Sequence, residues 1–231
     1  MIQFQGGVEK HGSTRLESLD NFKDIKSMES SSPEKIRDFW DSLFEKRDTY
    51  VPDENENLFV EVFGRSSDEF HFDFDMGQKL RDGLEDFNDV KWSRLTEAEQ
   101  IKTIKDFSSA LSERLGLVNP PTIAFFNGPR DSCGAYNPGT NGITINRALF
   151  DDPAEIVDTI AHETWHAYQH QRANILENKH DYLYKLNFDN YISPTSLGDG
   201  KCLFFTDYQE QLVEAEARAF ASLFREGVVL L

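Results

Sequence analysis

The sequence has few cysteines and no long apolar run. Its 2 cysteines, Cys133 and Cys202, lie far apart without metal-ligand spacing, so we interpret both as free thiols. No apolar run approaches the roughly 18 residues of a membrane span, and the N-terminus has no secretory pattern. We therefore expect a protein that works in the cytoplasm where it is made, has lost a leader, or is exported without a signal peptide.

Basic residues are also scarce, with 24 Lys and Arg against 41 Asp and Glu and a net charge of −17. An acidic surface repels phosphate backbones and anionic lipid, so we expect no binding to nucleic acid or to membranes. Hydrophobic residues make up 39% of the chain and Phe alone occurs 19 times, which excludes an intrinsically disordered protein. The length of 231 residues suits one large domain, or one domain with a helical annex.

The first half of the chain gives weak signals. Residues 1–31 are polar and lack periodicity, which predicts a flexible arm. Apolar residues at helical spacing predict a helix over 33–47. Two segments with alternating apolar residues, 57–63 and 69–75, predict a β-hairpin.

The following segments have clearer boundaries. Thr96 and Glu99 form a capping box, which predicts a helix that ends near residue 115. Asp151-Asp152-Pro153 is typical of a helix start and predicts a long helix to about residue 172. The other predicted elements are a short helix over 77–87, a strand over 121–126, a hairpin of 133–137 with 143–146, an irregular loop over 173–205 and a final helix over 207–226.

The long helix contains the sequence His162-Glu163-Thr164-Trp165-His166. Histidines at positions i and i+4 lie one turn apart on the same helical face, so both imidazoles can bind one zinc ion. Zinc accepts three protein ligands plus a water in catalytic sites. Glu163 follows the first histidine and is placed to take the proton of that water as a general base.

The final helix offers candidates for the third ligand. It reads Glu214-Ala215-Glu216-Ala217-Arg218, and with the upstream motif it resembles the gluzincin zinc metallopeptidases. In that class a downstream helix donates a Glu three residues before a small residue. The resemblance implies Glu214 as the ligand; Glu216 is the alternative and would need a rotated helix.

The resemblance extends over residues 119–226. GAYNPGTNGITIN followed by HETWHAYQ is similar to small bacterial zincin-like domains of repressor-cleaving, toxin and phage proteins. It implies a zincin-like domain over 119–231. The pattern of the preceding residues predicts a mainly helical region with a β-hairpin over 32–118, which resembles no family, so the predicted fold class is α+β. The resemblance also implies that an edge strand, at Ala135–Tyr136 or Thr144–Asn146, pairs with an extended substrate.

The motif does not identify two groups that the chemistry needs, a hydrogen-bond acceptor for a zinc-bound histidine and a donor to the oxyanion. Thermolysin-like relatives often carry Asp where this chain has Arg218, so another acceptor, such as Asp158 or a backbone carbonyl, is needed for a zinc-bound histidine. The developing oxyanion also needs a donor. Tyr208 is the first candidate, and His170 and His180 are weaker ones.

The expected function is hydrolysis of internal peptide bonds in a protein or peptide substrate, with Zn²⁺ held by His162, His166 and Glu214. One alternative is a zinc-binding fold with weak or no activity that serves as a binding or regulatory module. Another is that the acidic N-terminal half binds a partner and the zincin-like part is its scaffold.

Overall fold

The computed structural model describes residues 3–4, 50–196 and 202–229, and all of them belong to one compact unit. The helix predicted over 33–47 lies outside the described residues. The same holds for the arm predicted over 1–31, apart from residues 3–4.

The predicted hairpin of 57–63 with 69–75 is wrong. The described chain begins with strand β1 (Gln3–Phe4), and the first predicted strand is instead helix α1 (Leu58–Val62). Within the second predicted strand only β2 (Phe72–Asp73) is extended, and it pairs antiparallel with β1.

Burial explains why the alternation misleads. Leu58 and Val62 are one helical turn apart and pack into the same hydrophobic cluster, which suits a helix as well as a strand. Phe72 and Phe74 contact the ring of Phe220 edge-on, with centroids 5.4 and 5.2 Å away. The alternating phenylalanines therefore reflect one buried face of the segment and not pairing between the two segments.

Three helices follow. The predicted boundaries of the first and the third are largely confirmed, whereas the second, a single turn, is not predicted from the sequence. In the last of them the Thr96 hydroxyl accepts from the Glu99 backbone N–H while the Glu99 carboxylate accepts from the Thr96 N–H, and Gly116 ends the helix with a left-handed φ of 71°. A glycine carries no Cβ penalty in that conformation. The helices are α2 (Gly77–Glu85), α3 (Asp89–Trp92) and α4 (Glu97–Leu115).

A mixed sheet comes next, and it confirms both the predicted strand and the second predicted hairpin. Its strands are β3 (Thr122–Phe126), β4 (Gly134–Asn137) and β5 (Gly142–Asn146). β5 lies in the middle, parallel to β3 and antiparallel to β4, so β4 is at an edge. Ile143 and Ile145 are fully buried and fix the face of the sheet that meets the helices.

Helix α5 (Pro153–Ile175) carries the histidine motif. It begins as predicted, because the Asp152 side chain accepts from the Glu155 N–H and Pro153 occupies the first turn. It continues three residues beyond the predicted end and stops at Leu176, which has a left-handed conformation.

The loop predicted over 173–205 is wrong, because it contains helix α6 (Lys179–Asp189). The Asn178 side chain caps this helix, and Leu183, Tyr184 and Asn187 are buried on one side of it. The remaining elements are β6 (Thr195–Ser196), β7 (Cys202–Leu203), α7 (Phe205–Gln209) and α8 (Leu212–Val229).

The predicted final helix over 207–226 is therefore divided into α7 and α8. The Tyr208 carbonyl accepts a hydrogen bond from the side chain of Gln211, which also bonds the Ile192 carbonyl. These side-chain bonds replace the backbone bonds that would continue α7 into α8.

The architecture is α+β, as the sequence predicts. α5 lies between the sheet on one side and α8 on the other, and Trp165 of α5 stacks on Phe220 of α8 with ring centroids 4.2 Å apart. The main hydrophobic core includes residues on both sides of position 118, such as Phe107 and Ile145.

Two expectations from composition also have structural counterparts. Cys133 is a free thiol, and the side chain of Cys202 lies outside the described residues. Among the helices that the structure describes, none combines the length and the apolar character needed to cross a membrane.

The approach of β4 to α5 depends on a glycine. A Cβ at Gly134 would lie 2.6 Å from Thr159 Cγ2 and 2.8 Å from the Thr144 carbonyl oxygen. We expect Gly134→Ala to lower the free energy of unfolding by about 1–3 kcal/mol through overpacking, measured by urea denaturation. Gly139→Ala is the control, because a Cβ there meets only the Asn137 side chain at 3.2 Å. Equal losses in both variants would contradict this account.

Candidate metal centre

Two histidines of α5 face one carboxylate of α8. His162 and His166 lie one turn apart, and their Nε2 atoms are 3.0 Å from each other. Glu214 Oε1 lies 3.3 Å from His166 Nε2, and Glu214 Oε2 lies 3.4 Å from His162 Nε2. The structure thus brings together the three residues that the sequence predicts as metal ligands.

These distances suit a metal ion. Ligand atoms at two corners of a tetrahedron with bonds of about 2.0–2.1 Å are about 3.3–3.4 Å apart. The observed separations of 3.0, 3.3 and 3.4 Å are close to that edge length. Two imidazole nitrogens and a carboxylate oxygen are also a donor set that transition metals accept.

Burial of Glu214 supports the same interpretation. Its side chain is 1% exposed, and within the described part of the chain its Oε2 atom accepts no hydrogen bond. A buried carboxylate oxygen without a donor is unfavourable, and a cation held by the three side chains removes that cost. The cluster of His162, His166 and Glu214 can therefore bind a metal.

His166 and Glu214 shift each other's pKa. Burial lowers the pKa of His166, but the negative charge of Glu214 outweighs it and raises this pKa to about 9. Burial raises the pKa of Glu214, yet the two histidines hold it well below its usual range. At neutral pH His166 therefore carries a proton that a metal ion must displace.

The hydrogen-bond acceptor for His166 is Gln169. Its Oε1 atom lies 2.9 Å from His166 Nδ1. Asp158, the acceptor that the sequence suggests, lies 3.9 Å from an Arg225 nitrogen and near enough to His162 for that ring to act on its pKa, which burial raises. Arg218 donates a hydrogen bond to the Gln209 carbonyl. Although Arg218 stands where an acceptor Asp is expected, His166 therefore has a hydrogen-bond partner on its own helix, Gln169.

Glu163 is anchored at the edge of the sheet. The Tyr136 backbone N–H of β4 donates to Glu163 Oε2 at 2.7 Å. Gly134, two residues earlier, lets the strand approach this close, since a Cβ there would lie only 2.6 Å from Thr159 Cγ2 on the same helix as Glu163. The charge of Glu163 also contributes to the raised pKa of His166, which places the carboxylate beside the cluster.

Two tyrosines border the other side of Glu214. The Tyr191 hydroxyl donates to Glu214 Oε1 at 2.6 Å, and the rings of Tyr191 and Tyr208 are 6.2 Å apart. Burial raises the pKa of Tyr208, and the charge of Glu214 acts in the same direction. Tyr208 therefore keeps its proton at neutral pH and can donate it in a hydrogen bond.

Glu216, the alternative third ligand, points away from the histidine pair. Its carboxylate is fully buried and accepts hydrogen bonds from four side chains. The donors are Trp165 Nε1 at 3.0 Å, Gln169 Nε2 at 2.9 Å, Tyr184 Oη at 2.5 Å and His180 Nε2 at 3.0 Å. The helix rotation that would make Glu216 a ligand is not the one observed.

The two weaker oxyanion candidates have other surroundings. His180 Nε2 lies 3.0 Å from Glu216 Oε1. The ring of His170 stacks on Phe188 with centroids 3.7 Å apart, and burial lowers its pKa to about 4. His170 is therefore neutral at physiological pH and packed between α5 and α6.

Gln169 and Tyr191 also belong to the site, although neither is predicted from the sequence. Gln169 follows His166 by three residues, a spacing at which helical side chains touch, so a local signal existed. Tyr191 falls in the segment that was predicted to be a loop, and no local pattern connects it to Glu214.

Compared with protein families, with curated proteins and with solved structures, the chain matches none.

Metal binding is expected to strengthen as the pH rises towards 9. Below its raised pKa of about 9, His166 is protonated in the metal-free protein, so binding releases that proton. The apparent affinity should then fall about tenfold for each pH unit below this value. Calorimetric titration with zinc in two buffers of different ionisation enthalpy counts the protons released at pH 7. Binding without proton release would contradict the assigned pKa.

Proposed function

We propose that the protein is a zinc-dependent metallopeptidase of the gluzincin type. The observation that carries the proposal is the spacing of two histidine nitrogens and one buried carboxylate at 3.0–3.4 Å, with a second carboxylate, Glu163, beside them. Two imidazole nitrogens and one carboxylate favour zinc over the oxygen-seeking ions Mg²⁺ and Ca²⁺.

Glu163 is the general base of the proposed reaction. When bound, zinc would polarise the scissile carbonyl and acidify a water molecule. Glu163 takes the proton of the attacking water and later delivers it to the leaving amine. The hydrogen bond from the Tyr136 N–H holds one oxygen of the Glu163 carboxylate in place. The other oxygen therefore has a fixed position from which it accepts the proton.

Tyr208 is the proposed donor to the oxyanion. Its hydroxyl remains protonated because burial and Glu214 raise its pKa. The hydroxyl is within hydrogen-bonding reach of Glu214, which puts this donor beside the metal cluster, where the oxyanion would develop. Tyr191 bonds Glu214 directly, so it orients that ligand.

The proposed substrate is an extended segment of a protein or peptide. β4 is an edge strand whose Tyr136 N–H points to Glu163, away from its partner strand β5. An extended peptide that adds to this edge would bring a backbone carbonyl next to the metal cluster. The many acidic side chains would favour basic segments over acidic ones.

Glu163→Gln is expected to remove peptide hydrolysis and to leave zinc binding intact. The amide cannot accept the proton of water, so turnover of a random-sequence peptide library should fall by a factor of about 10²–10⁴. Cleavage is measured by mass spectrometry and zinc by elemental analysis. Glu155→Gln is the matched control, because Glu155 lies two turns earlier on the same helix and pairs with Arg225 at 2.9 Å.

The same experiment tests the alternative. Stoichiometric zinc without peptide cleavage by the wild-type protein would favour a binding or regulatory module. A wild-type protein that takes up no zinc would overturn the metallopeptidase proposal.

Tyr208→Phe is expected to lower kcat by a factor of about 10²–10³ with little change in zinc content, because one donor to the oxyanion is lost. Tyr182→Phe is the control, since the Tyr182 ring contacts Tyr50 and belongs neither to the residues around Glu214 nor to those around Glu216. The rates are compared at saturating peptide. A kcat equal to that of the control would remove Tyr208 from the mechanism.

A further inference from the structure

A second buried carboxylate lies two residues from the metal ligand Glu214. Glu216 has no solvent exposure, and its two oxygens accept hydrogen bonds from side chains of α5 and α6. A buried charge is tolerated only when its oxygens are satisfied in this way. The proposed reaction does not use this group, although it is connected to the metal centre.

The connection runs through the amide of Gln169. Its Nε2 group donates to Glu216 Oε2 at 2.9 Å and to the Val213 carbonyl at 3.1 Å. An ionised carboxylate and a carbonyl only accept hydrogen bonds. These two acceptors therefore fix which end of the amide faces them, and Gln169 Oε1 must point the other way.

Gln169 Oε1 points at the metal-binding histidine. It lies 2.9 Å from His166 Nδ1, and an amide oxygen accepts only from a nitrogen that carries hydrogen. In the neutral imidazole the hydrogen is then on Nδ1, and the lone pair of Nε2 faces His162 and Glu214.

We propose that Glu216, acting through Gln169, is a positioning residue that sets the tautomer and the ring orientation of His166 for metal binding. The inference rests on the proposed function, because it requires the metal site. It also gives α6 a role, since Tyr184 and His180 of that helix hold Glu216 in place.

The first test compares two substitutions of glutamine by leucine on α5. Gln169→Leu removes the acceptor of His166, and zinc affinity, measured by competition with a chelator, is expected to fall about 10–100-fold. Gln171→Leu is the matched control. Its amide bonds the Val118 N–H and the Gly116 carbonyl near the end of α4, so zinc affinity should remain within about twofold of wild type.

Stability is measured separately, by urea unfolding of the metal-free variants. If Gln169 had only a structural role, Gln169→Leu and Gln171→Leu would both lower the free energy of unfolding, and neither would change the zinc affinity. That result would overturn the inference.

The second test places Glu216 in the pathway. Glu216→Met removes the acceptor and is expected to weaken zinc binding about tenfold, whereas Glu216→Gln keeps an acceptor oxygen and should restore most of the affinity. In the Gln169→Leu background, Glu216→Met should cause no further loss, because Glu216 acts through Gln169. Independent losses in the double variant would overturn the inference. If Glu216→Met fails to fold, the comparison of Gln169→Leu with Gln171→Leu decides.

The outcomes separate this inference from the proposed function. No zinc in the wild-type protein would overturn both. Zinc that is lost in Glu214→Ala but bound with wild-type affinity by Gln169→Leu would overturn the positioning role alone. Both outcomes are decided by zinc binding alone, without a measurement of peptide cleavage.

Discussion

The contact between α5 and α8 encloses two carboxylates, and the arrangement of the site depends on how each charge is compensated. Glu214 and Glu216 are two positions apart on α8, so they project in different directions from the same helix. Glu214 meets the two histidines of α5 and the hydroxyl of Tyr191. Glu216 accepts hydrogen bonds from the Trp165 indole and the Tyr184 hydroxyl inside the core. One helix pairing therefore provides both a metal-facing charge and an enclosed one, and neither arrangement survives a different rotation of α8.

α5 is constrained on its other side by the sheet. Gly134 allows β4 to lie against the helix, and the Tyr136 N–H then reaches Glu163. Between the two histidines of the motif, Trp165 stacks on Phe220 and donates to Glu216. The motif thus alternates between groups that face the cluster and a ring that fixes the helix in the core. Its spacing serves packing as well as metal binding.

Sequence reasoning succeeded where the information is local. Capping at Thr96 and Asp152 predicted two helix starts, and the motif with Glu214 predicted the residues that meet in the cluster. It failed where distant residues decide. Phe72 and Phe74 are half-buried against Phe220 of α8, a contact that no local pattern reveals. α6 is stabilised by Tyr184 against Glu216 and by Asn187, whose amide bonds Gln211. Those partners lie more than twenty residues away in the chain.

Because Glu216 is fully buried, its charge is screened by salt differently from the charges at the surface. Exposed charges, which produce the net charge of −17, are screened over about 10 Å at 0.1 M ionic strength. A carboxylate without solvent exposure is screened far less. The field that Glu216 exerts on its neighbours is therefore nearly independent of salt, while attraction or repulsion at the surface varies with it. The encounter with a charged molecule and the chemistry of the buried cluster can respond to the medium independently.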